Sequence, residues 1–480
     1  MSPRGTLLAT IIAVVTFSSA VDMVVSTRPA PDVGNGAEEI GGGDFSGGDF
    51  GDEGFGPTFE SVPEPTASPG APQIDWSVEA SSISDTPDAG FYDPVTAGEL
   101  GFRGSGFIEA GDVLVTLVGV GSEYDFELTD SSFVALDRSD GSIRWTTPAA
   151  EVSGCASEVV DGRIVCHTGR FSDHAAFVSV DVATGELIRT PTDWYVQMID
   201  SVDDRVYVVE GDIEGNDLRV RSGTAIDPAA YWTSQLTIGG YGEDASMYVL
   251  SVDHTVGYID TSSDAALFDP LTGSVRWQKT NYGDCVDSDA VLSGGIIIVQ
   301  PLVCEEFEPV STEALDATGR LLARTDSTTT HRIAIDASAE SAPFLLADSA
   351  YDRSTGRQLW TNGSLVASNG EGTAAALVGD TALLSNGYDQ KIQALDLRSG
   401  EEVWSKEGSF APLARNGIVL AGLDGDGLVA LDIESGEGWT LPISLLVSDQ
   451  EYPGGDETVR ASGGRFVFAS PAAIVALTPA

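Results

Sequence analysis

The stretch FVALDRSDGSIRW, residues 133–145, combines a strand, a tight turn and a second strand in one short phrase. Residues up to Asp137 alternate as expected of a strand with one buried face. Asp137 can accept hydrogen bonds from backbone N–H groups of the turn, and Gly141 permits the positive φ at which a Cβ would clash. Trp145 then places a large flat ring on the second strand.

The same phrase recurs along the chain. Each copy has a Gly three or four residues after an Asp, and in most copies a Trp follows the Gly at a similar distance. The repeat positions are Asp137, Gly141, Trp145, Asp181, Gly185, Asp269, Gly273, Trp277, Asp316, Gly319, Asp352, Gly356, Trp360, Asp396, Gly400, Trp404, Asp432, Gly436 and Trp439. A hairpin such as VVDGRIVC at 159–166 precedes the phrase. The repeat therefore predicts units of four antiparallel strands, with Trp in a packing role.

Small four-stranded sheets expose two edges, and closing them into a ring is the usual remedy. The last segment, FVFASPAAIVALTP at 466–479, stops where its turn should begin, and the missing outer strand occurs at QIDWSVEA, 73–80. We therefore predict an all-β fold, a single β-propeller over 73–480 that is closed by an N-terminal strand carrying Trp76. Setting aside the weak copy AIDPAAYW at 225–232, which has no Gly, predicts eight blades; seven to nine are compatible with the repeat.

The pattern AxDxxTGxxxW, present here as ALDRSDGSIRW and AYDRSTGRQLW, resembles the pyrroloquinoline-quinone (PQQ) repeat, the tryptophan-docking motif of quinoprotein propellers. The resemblance covers 73–480 and implies that each Trp packs on the turn of the neighbouring blade. It implies two classes of function, a PQQ-dependent dehydrogenase or a non-enzymatic scaffold of the BamB-like class. Many of the dehydrogenases have two adjacent cysteines above the cofactor and a catalytic Ca²⁺.

This chain has no adjacent cysteine pair, and its repeat positions match no set of Ca²⁺ ligands. We therefore predict a non-catalytic protein with no catalytic residues and neither PQQ nor Ca²⁺ as a cofactor. The alternative is a dehydrogenase, or a propeller that binds a small ligand or a cation in its central funnel. The BamB-like scaffolds are the nearer functional class, although the chain lacks a lipidation cysteine after its first apolar run.

The four cysteines, Cys155, Cys166, Cys285 and Cys304, lie on two hairpins. A turn at 294–295 would place Cys285 directly opposite Cys304, within disulfide distance. Cys155 and Cys166 flank a comparable hairpin, where a turn at 161–162 would place residue 168 opposite Cys155, so that the register must slip by two residues or the hairpin must use a longer loop. Two disulfides are expected in an exported protein. A metal site that combines Cys155 and Cys166 with His167 and His174 is the alternative, although its spacing matches no compact zinc pattern.

The first 72 residues differ from the rest. Residues 1–25 contain Arg4, an apolar run and the small residues Ser18-Ser19-Ala20, which predict either a cleaved signal peptide or a retained N-terminal membrane anchor. Residues 26–72 are rich in Gly, Pro and acidic residues, so we expect a disordered linker. The expected location is extracellular or in the cell envelope.

The charge balance limits the partners. With 74 acidic and 24 basic residues the net charge is −50 and the pI is near 4.1. Such a chain repels nucleic acids and anionic headgroups, so we expect contact with a membrane only through the N-terminal segment. We expect a monomer that binds protein partners through the propeller faces or loops. The acidic loops EYDFE (123–127), DIEGND (212–217) and CEEFE (304–308) are either solvated surface or weak cation sites.

The net charge of −50 predicts that salt stabilises the fold. Repulsion between carboxylates weakens as the Debye length shortens from about 10 Å at 0.1 M to about 3 Å at 1 M salt. We expect the melting temperature to rise over this range of NaCl, and a constant or falling value would contradict the prediction. Millimolar CaCl₂ at matched ionic strength is the control, because additional stabilisation by Ca²⁺ would indicate a cation site.

Overall fold

The computed structural model describes residues 66–86, 88–95, 104–121, 128–149, 151–168, 175–212, 217–238, 248–261, 264–279, 285–303, 308–339, 341–425, 427–447 and 457–478. These ranges form 38 strands and three 3₁₀ segments, Ala80–Ser82, Gly363–Leu365 and Ile443–Leu445. Within them, no helix is sufficiently long and apolar to cross a bilayer. The predicted signal or anchor at 1–25 lies outside the described residues.

The strands assemble into nine sheets within the described ranges, and we number these sheets as blades along the chain. The first strand, β1 (Gln73–Glu79), belongs to the last blade. Blade 1 contains β2 (Gly90–Tyr92), β3 (Ile108–Ala110), β4 (Val113–Gly121), β5 (Leu128–Asp137) and β6 (Ile143–Pro148). Blade 2 contains β7 (Val152–Cys155), β8 (Arg163–Thr168), β9 (Ala176–Asp181) and β10 (Leu187–Pro191). Blade 3 contains β11 (Tyr195–Val202), β12 (Arg205–Asp212), β13 (Asp217–Gly223) and β14 (Trp232–Leu236).

Blade 4 has four strands, blade 5 has five and blade 6 has three. Blade 4 contains β15 (Tyr248–Val252), β16 (Gly257–Thr261), β17 (Asp264–Phe268) and β18 (Val275–Lys279). Blade 5 contains β19 (Cys285–Ser293), β20 (Ile296–Val303), β21 (Glu308–Pro309), β22 (Thr312–Asp316) and β23 (Leu321–Thr325). Blade 6 contains β25 (Phe344–Leu346), β26 (Ser349–Tyr351) and β27 (Gln358–Thr361).

Blade 7 contains β24 (Arg332–Ser338), β28 (Ala374–Gly379), β29 (Thr381–Asn386), β30 (Lys391–Asp396) and β31 (Glu402–Glu407). Blade 8 contains β32 (Ala411–Asn416), β33 (Val419–Asp424), β34 (Gly427–Asp432) and β35 (Gly438–Pro442). Blade 9 contains β36 (Thr458–Ser462), β37 (Arg465–Ala469) and β38 (Ala473–Thr478), together with β1. Ser68, just before β1, hydrogen-bonds through its N–H to the carbonyl of Thr440 in blade 8 at 3.0 Å. The end of the predicted linker therefore packs on the propeller.

The preferred count of eight blades is wrong, because the described part of the chain forms nine sheets, the upper limit of the predicted range of seven to nine. The additional sheet is blade 3, whose copy of the repeated phrase at 225–232 has no Gly. We call the turn position of each copy, from the Asp to the Trp, a station. Asp227 closes that turn by another route: its carbonyl accepts from the N–H of Ala230 at 3.0 Å, and its carboxylate accepts from the N–H of Ala229 at 3.1 Å. Strands of alternating apolar and polar residues, joined by a turn whose backbone N–H groups are hydrogen-bonded, therefore form a blade here without the repeat Gly.

Apolar side chains from neighbouring blades form the core. One cluster joins Val115 and Phe133 of blade 1 to Ile164 and Val178 of blade 2. Another joins the first blade to the last, where Leu114 and Ile474 belong to the same buried group. Each sheet is covered on both faces by its neighbours, which explains why the central strands of the blades are apolar at nearly every position.

The N-terminal strand closes the ring, as predicted. Strand β1 pairs antiparallel with β38 from Gln73↔Thr478 to Glu79↔Ala473, which completes blade 9. Trp76 is only 7% exposed, and its indole N–H donates to the carbonyl of Arg138 in blade 1 at 3.2 Å. The first and last strands of the propeller are thereby joined without a covalent bond.

Blades 6 and 7 depart from the predicted four antiparallel strands. Strand β24 pairs in parallel with β28 of blade 7 instead of pairing with β25. As a result, blade 6 has three strands and blade 7 has five. Strand β25 is only three residues long and directly follows Pro343, which has no N–H, so it offers a short edge to a partner.

Closure by Trp76 can be tested by substitution. We expect Trp76→Ala to lower the free energy of unfolding by about 3–5 kcal/mol, the usual cost of removing a buried Trp side chain. Deletion of residues 26–65, which precede the described residues, is the control and should leave the melting temperature unchanged. Thermal and urea denaturation of both variants would measure this, and an equal loss in the two would contradict the role of β1 in closure.

Candidate functional site

The predicted repeat residues form contacts between blades. The indole N–H of Trp145 donates to the carbonyl of Val182 in the next blade at 2.8 Å. The equivalent hydrogen bonds join Trp232 to Pro270 at 3.2 Å, Trp360 to Leu397 at 2.9 Å and Trp404 to Ile433 at 2.9 Å. In each case the acceptor is the residue directly after the Asp of the next phrase. We call this contact the Trp lock.

The repeat glycines make the Trp lock possible. Gly141, Gly185, Gly273, Gly319, Gly400 and Gly436 all have positive φ, between 70° and 79°. A Cβ built on any of them would lie 2.1–2.8 Å from an atom of the preceding blade's Trp ring. The Gly is therefore needed both for the turn and for the approach of the ring. Trp439 packs on Phe466 of blade 9 with 6.3 Å between ring centroids.

The repeat Asp side chains stabilise the turns. The Asp432 carboxylate accepts from the N–H groups of Glu434 at 2.9 Å and Ser435 at 2.8 Å. The Asp352 carboxylate accepts the same N–H bonds from Ser354 and Thr355, and it also accepts from the hydroxyls of both residues at 2.7 Å. The hydroxyl bonds, that of Thr355 above all, lower the pKa of Asp352 to about 2. The repeat residues are thus distributed around the ring and converge on no common centre.

Cys155 and Cys166 are paired across strands β7 and β8 and are joined in a disulfide. The register slips by two residues between the bridge Val160↔Arg163 and this pair. Both sulfurs are bonded to each other, which leaves neither for a metal. His167 is buried, and burial lowers its pKa to about 4. His174 lies outside the described residues.

The second hairpin differs from the prediction. Cys285 is opposite Leu302, and not opposite Cys304, because an irregularity between Asp287 and Val291 shifts the register of β19 against β20. Cys304 and the side chain of Cys285 lie outside the described residues. A disulfide between Cys285 and Cys304 therefore stays a prediction. The register on which it was based, with Cys285 directly opposite Cys304, is not the register of the structure.

A cleft of about 250 Å³ lies between blades 3 and 4, among the turns that contain the Trp lock of Trp232. Its walls include Asp203, Arg205, Tyr231, His254 and Leu271. Tyr231 and Leu271 are 47% and 63% exposed. The cleft therefore combines charged groups with accessible apolar surface, a combination that is typical of binding sites. We refer to it as the blade 3–4 cleft.

Three of the charged or titratable groups of the cleft, Asp203, His254 and Arg205, have partners within it. The Asp203 carboxylate lies 3.0 Å from Nδ1 of His254. The Arg205 guanidinium carbon lies 4.3 Å from the centroid of the Tyr231 ring, in a cation–π contact. The hydroxyl of the buried Tyr207 donates to the carbonyl of Pro270 at 3.3 Å. These contacts hold the walls of the cleft in place.

Two further carboxylates lie beside the cleft, and their pKa values are raised. Burial raises the pKa of Asp200 in blade 3 to about 6, although its carboxylate accepts hydrogen bonds from Ser157 at 2.9 Å and Ser201 at 2.8 Å. Burial also raises the pKa of Glu158 in blade 2. Perturbed carboxylates beside a cleft are a common feature of functional sites. Among the described residues, no group of His, Cys, Asp or Glu is arranged to hold a metal ion.

A separate ion network lies between the strands of blade 3. Glu210 is fully buried and pairs with Arg219 and with Nε of Arg221, the latter at 2.8 Å. The hydroxyl of Thr192 also donates to Glu210. The Arg219 guanidinium stacks 4.0 Å from the ring centroid of Trp194, the one Trp outside the repeat pattern. Since Glu210 is paired on several sides, the network has an adequate structural explanation.

The sequence does not predict the blade 3–4 cleft, whose lining comes from separate parts of two blades. The local sign of it is the absence of Gly from the repeat at 225–232, where Tyr231 lines the cleft. The loops at 123–127 and 304–307, and all but the ends of DIEGND at 212–217, lie outside the described residues.

Comparison with known proteins finds similarity in sequence and in structure. The family described as outer membrane protein assembly factor BamB matches residues 128–304 and 311–464, which are more than half of the chain. The outer membrane protein assembly factor BamB of Marinobacter adhaerens (strain DSM 23420 / HP15) is 35% identical over 71 residues, 14% of this chain. That alignment spans 18% of the relative's length.

Three solved structures match over most of this chain. The computationally designed Ika8 protein has a TM-score of 0.44 and 11% identity, covering 81% of this chain and 100% of its own. BamB from Moraxella catarrhalis has a TM-score of 0.37 and 15% identity, covering 70% of this chain and 95% of its own. KlHsv2 with loop 6CD replaced by a Gly-Ser linker has a TM-score of 0.34 and 9% identity, and the match covers 74% of this chain and 92% of its own.

The raised pKa of Asp200 predicts a dependence of stability on pH. The folded-state pKa is above the unfolded value near 4, so this contribution to stability is complete below pH 4 and is lost as pH rises through about 6. We expect Asp200→Asn to melt at a higher temperature than the wild type at pH 8, with a gain of up to about 3 kcal/mol, and to match it at pH 4. Asp88→Asn, a change at an exposed residue, is the control; equal curves for the wild type and Asp200→Asn at pH 8 would contradict the prediction.

Proposed function

This chain belongs to the PQQ-repeat family of β-propellers described as outer membrane protein assembly factor BamB, and from that premise we propose that it is a non-catalytic protein-interaction scaffold of the cell envelope. The family match over more than half of the chain is the observation that carries the proposal. The name of the relatives places them in outer membrane protein assembly, and the short alignment with the curated relative does not extend that specific role to this chain.

The chemistry of the repeats supports a scaffold. The residues that recur in most blades are used in the Trp locks and the Asp turns, where they contact other parts of the protein. The repeated residues therefore stabilise a rigid ring. A rigid ring with variable loops is well suited to present a surface to another protein.

Residues 1–72 bear on the location of the scaffold. We propose that residues 1–25 direct export, either as a cleaved signal or as an anchor, and that 26–65 separate the ring from the membrane or from the processed terminus. The disulfide between Cys155 and Cys166 is consistent with an oxidising compartment. With flexible-chain scaling, a linker of this length spans roughly 35 Å. The ring could then reach partners near the membrane surface as a monomer.

The scaffold role predicts a stable protein partner in the envelope. We expect affinity purification of the full chain from cross-linked cells to recover the same partner in stoichiometric amount in repeated preparations. A tagged exported protein of similar acidity is the control for charge-driven association. A chain that recovers no partner beyond that control would contradict the scaffold role.

The dehydrogenase alternative is tested on the same material. Purified protein supplied with PQQ and CaCl₂ is assayed for dye-linked oxidation of a panel of primary alcohols. We expect no turnover above a protein-free control that contains the same cofactors. Turnover that requires both the protein and PQQ would contradict the non-catalytic scaffold and show that the protein is a dehydrogenase.

A further inference from the structure

At the interface between blades 2 and 3, both the Gly position of one blade and the Trp position of the other depart from the repeat. In blade 3, the residue four positions after Asp227 is Tyr231, where most other phrases have Gly. In blade 2, which precedes this station, Arg189 occupies the position that carries Trp in five other phrases. Both residues of a Trp lock are therefore replaced at the same interface between blades.

The comparison with blade 5 shows that the loss of Trp alone does not require this change. Blade 5 has Ala323 at the Trp position, yet blade 6 retains Gly356 with a positive φ of 68°. The carbonyl of Leu322 closely approaches Gly356, and a Cβ there would lie 2.0 Å from that oxygen. At the blade 2–3 interface, in contrast, the Gly is exchanged for a large aromatic residue that is 47% exposed. Local departures from an otherwise regular repeat are often functional.

The replaced residue forms a wall of the blade 3–4 cleft. Tyr231 lies there with Leu271, and the guanidinium of Arg205 covers one part of its ring at 4.3 Å. A half-exposed Tyr and a more exposed Leu at the edge of one cavity provide apolar surface that a partner can cover. At about 250 Å³, the cleft is smaller than the roughly 300–1,000 Å³ of small-molecule sites, so it suits one long side chain better than a cofactor.

The charge of the lining favours a cation. Three carboxylates, Asp203, Asp204 and Asp253, line the cleft with one guanidinium and one imidazole. Asp253 is engaged with backbone N–H groups, at 2.8 Å from Val256 and 3.1 Å from Gly295. Asp203 contacts Nδ1 of His254 at 3.0 Å, and its side chain is 72% exposed, so an incoming group can still reach its carboxylate. The net charge of −50 would also attract a basic partner.

We propose that the blade 3–4 cleft receives a lysine or arginine side chain of a basic protein partner. The methylene stem lies against Tyr231 and Leu271, and the charged end lies beside Asp203 and Asp204. The inference rests on the proposed scaffold function and names the chemistry of the partner. It also gives a reason for the exchange of Gly for Tyr at a station that elsewhere only packs.

The proposal is tested with a peptide probe and the full chain. The probe is a fluorescein-labelled Gly-Ser-Gly-Lys-Leu-Gly-Ser peptide, and binding is measured by fluorescence anisotropy in 0.1 M NaCl. We expect the double variant Asp203→Asn/Asp204→Asn to raise the Kd at least tenfold, and Tyr231→Ala to raise it severalfold. Replacing the lysine of the peptide by norleucine should weaken binding by the wild type to the same extent as the double variant.

The double variant Glu434→Gln/Glu437→Gln is the matched control. It removes the same number of charges from exposed residues near a turn of blade 8, and it should bind the peptide within twofold of the wild type. Equal weakening by both double variants would indicate long-range attraction alone and would overturn the proposal. A wild type that binds the lysine and norleucine peptides equally would also overturn it.

Affinity purification with the same variants separates this proposal from the scaffold role. Recovery of the envelope partner should fall with Asp203→Asn/Asp204→Asn and persist with the control variant. If both double variants recover the partner as the wild type does, the cleft is not its docking site, and the scaffold role stands. If the wild type recovers no partner, the scaffold role fails, and the peptide measurements still decide whether the cleft takes a basic side chain.

Discussion

The ring depends on the contact of a Trp in one blade with a Gly turn in the next. A Trp side chain buries about 150–250 Å², which corresponds to about 4–6 kcal/mol of transfer free energy. The indole N–H is satisfied at the same time, by the carbonyl that follows the repeat Asp. A blade therefore gains much of its stability from its neighbour, and the last blade requires a Trp from the other end of the chain. Trp76 supplies it.

The lock also explains why the surface of this protein can be so acidic. The attractive contacts are apolar and lie between blades, where Val, Leu, Ile and Phe side chains from two sheets meet. Repulsion between carboxylates acts mainly at the turns and loops. Several repeat carboxylates there are stabilised by backbone N–H groups or by Arg side chains, such as Arg276 beside Asp269 at 2.6 Å. The fold therefore carries most of its charge at the surface, and a buried exception such as Glu210 is paired with Arg219 and Arg221.

A regular repeat makes its exceptions informative. The exchange of Gly for Tyr231 exposes an aromatic ring where other blades bury one. The displacement of β24 to blade 7 changes which strand edges are paired. The first exception coincides with a cleft between two blades that combines charged groups with exposed apolar surface, whereas the second is a change in strand pairing. This difference is the basis for assigning a binding role to the first.

The amino-acid sequence by itself determined the all-β class, the Asp–Gly–Trp stations, the family and the closure by β1. These follow from chemistry that acts within a few residues: an Asp that accepts turn hydrogen bonds, a Gly at positive φ, and a Trp at a fixed distance. Their regular recurrence made even the long-range pairing of β1 with β38 predictable, because one strand was missing at one end and present at the other.

The tertiary structure decided the number of blades, the partner of β24, the register of Cys285 and the blade 3–4 cleft. Each depends on which distant edge or side chain comes within reach. An irregularity between Asp287 and Val291 moves Cys285 opposite Leu302, although the turn that starts the hairpin is as predicted. The cleft needs residues from two blades, Asp203 and His254 among them, that lie about fifty positions apart in the sequence. Local patterns specify turns and strands, whereas the packing of one blade on another specifies which side chains share a site.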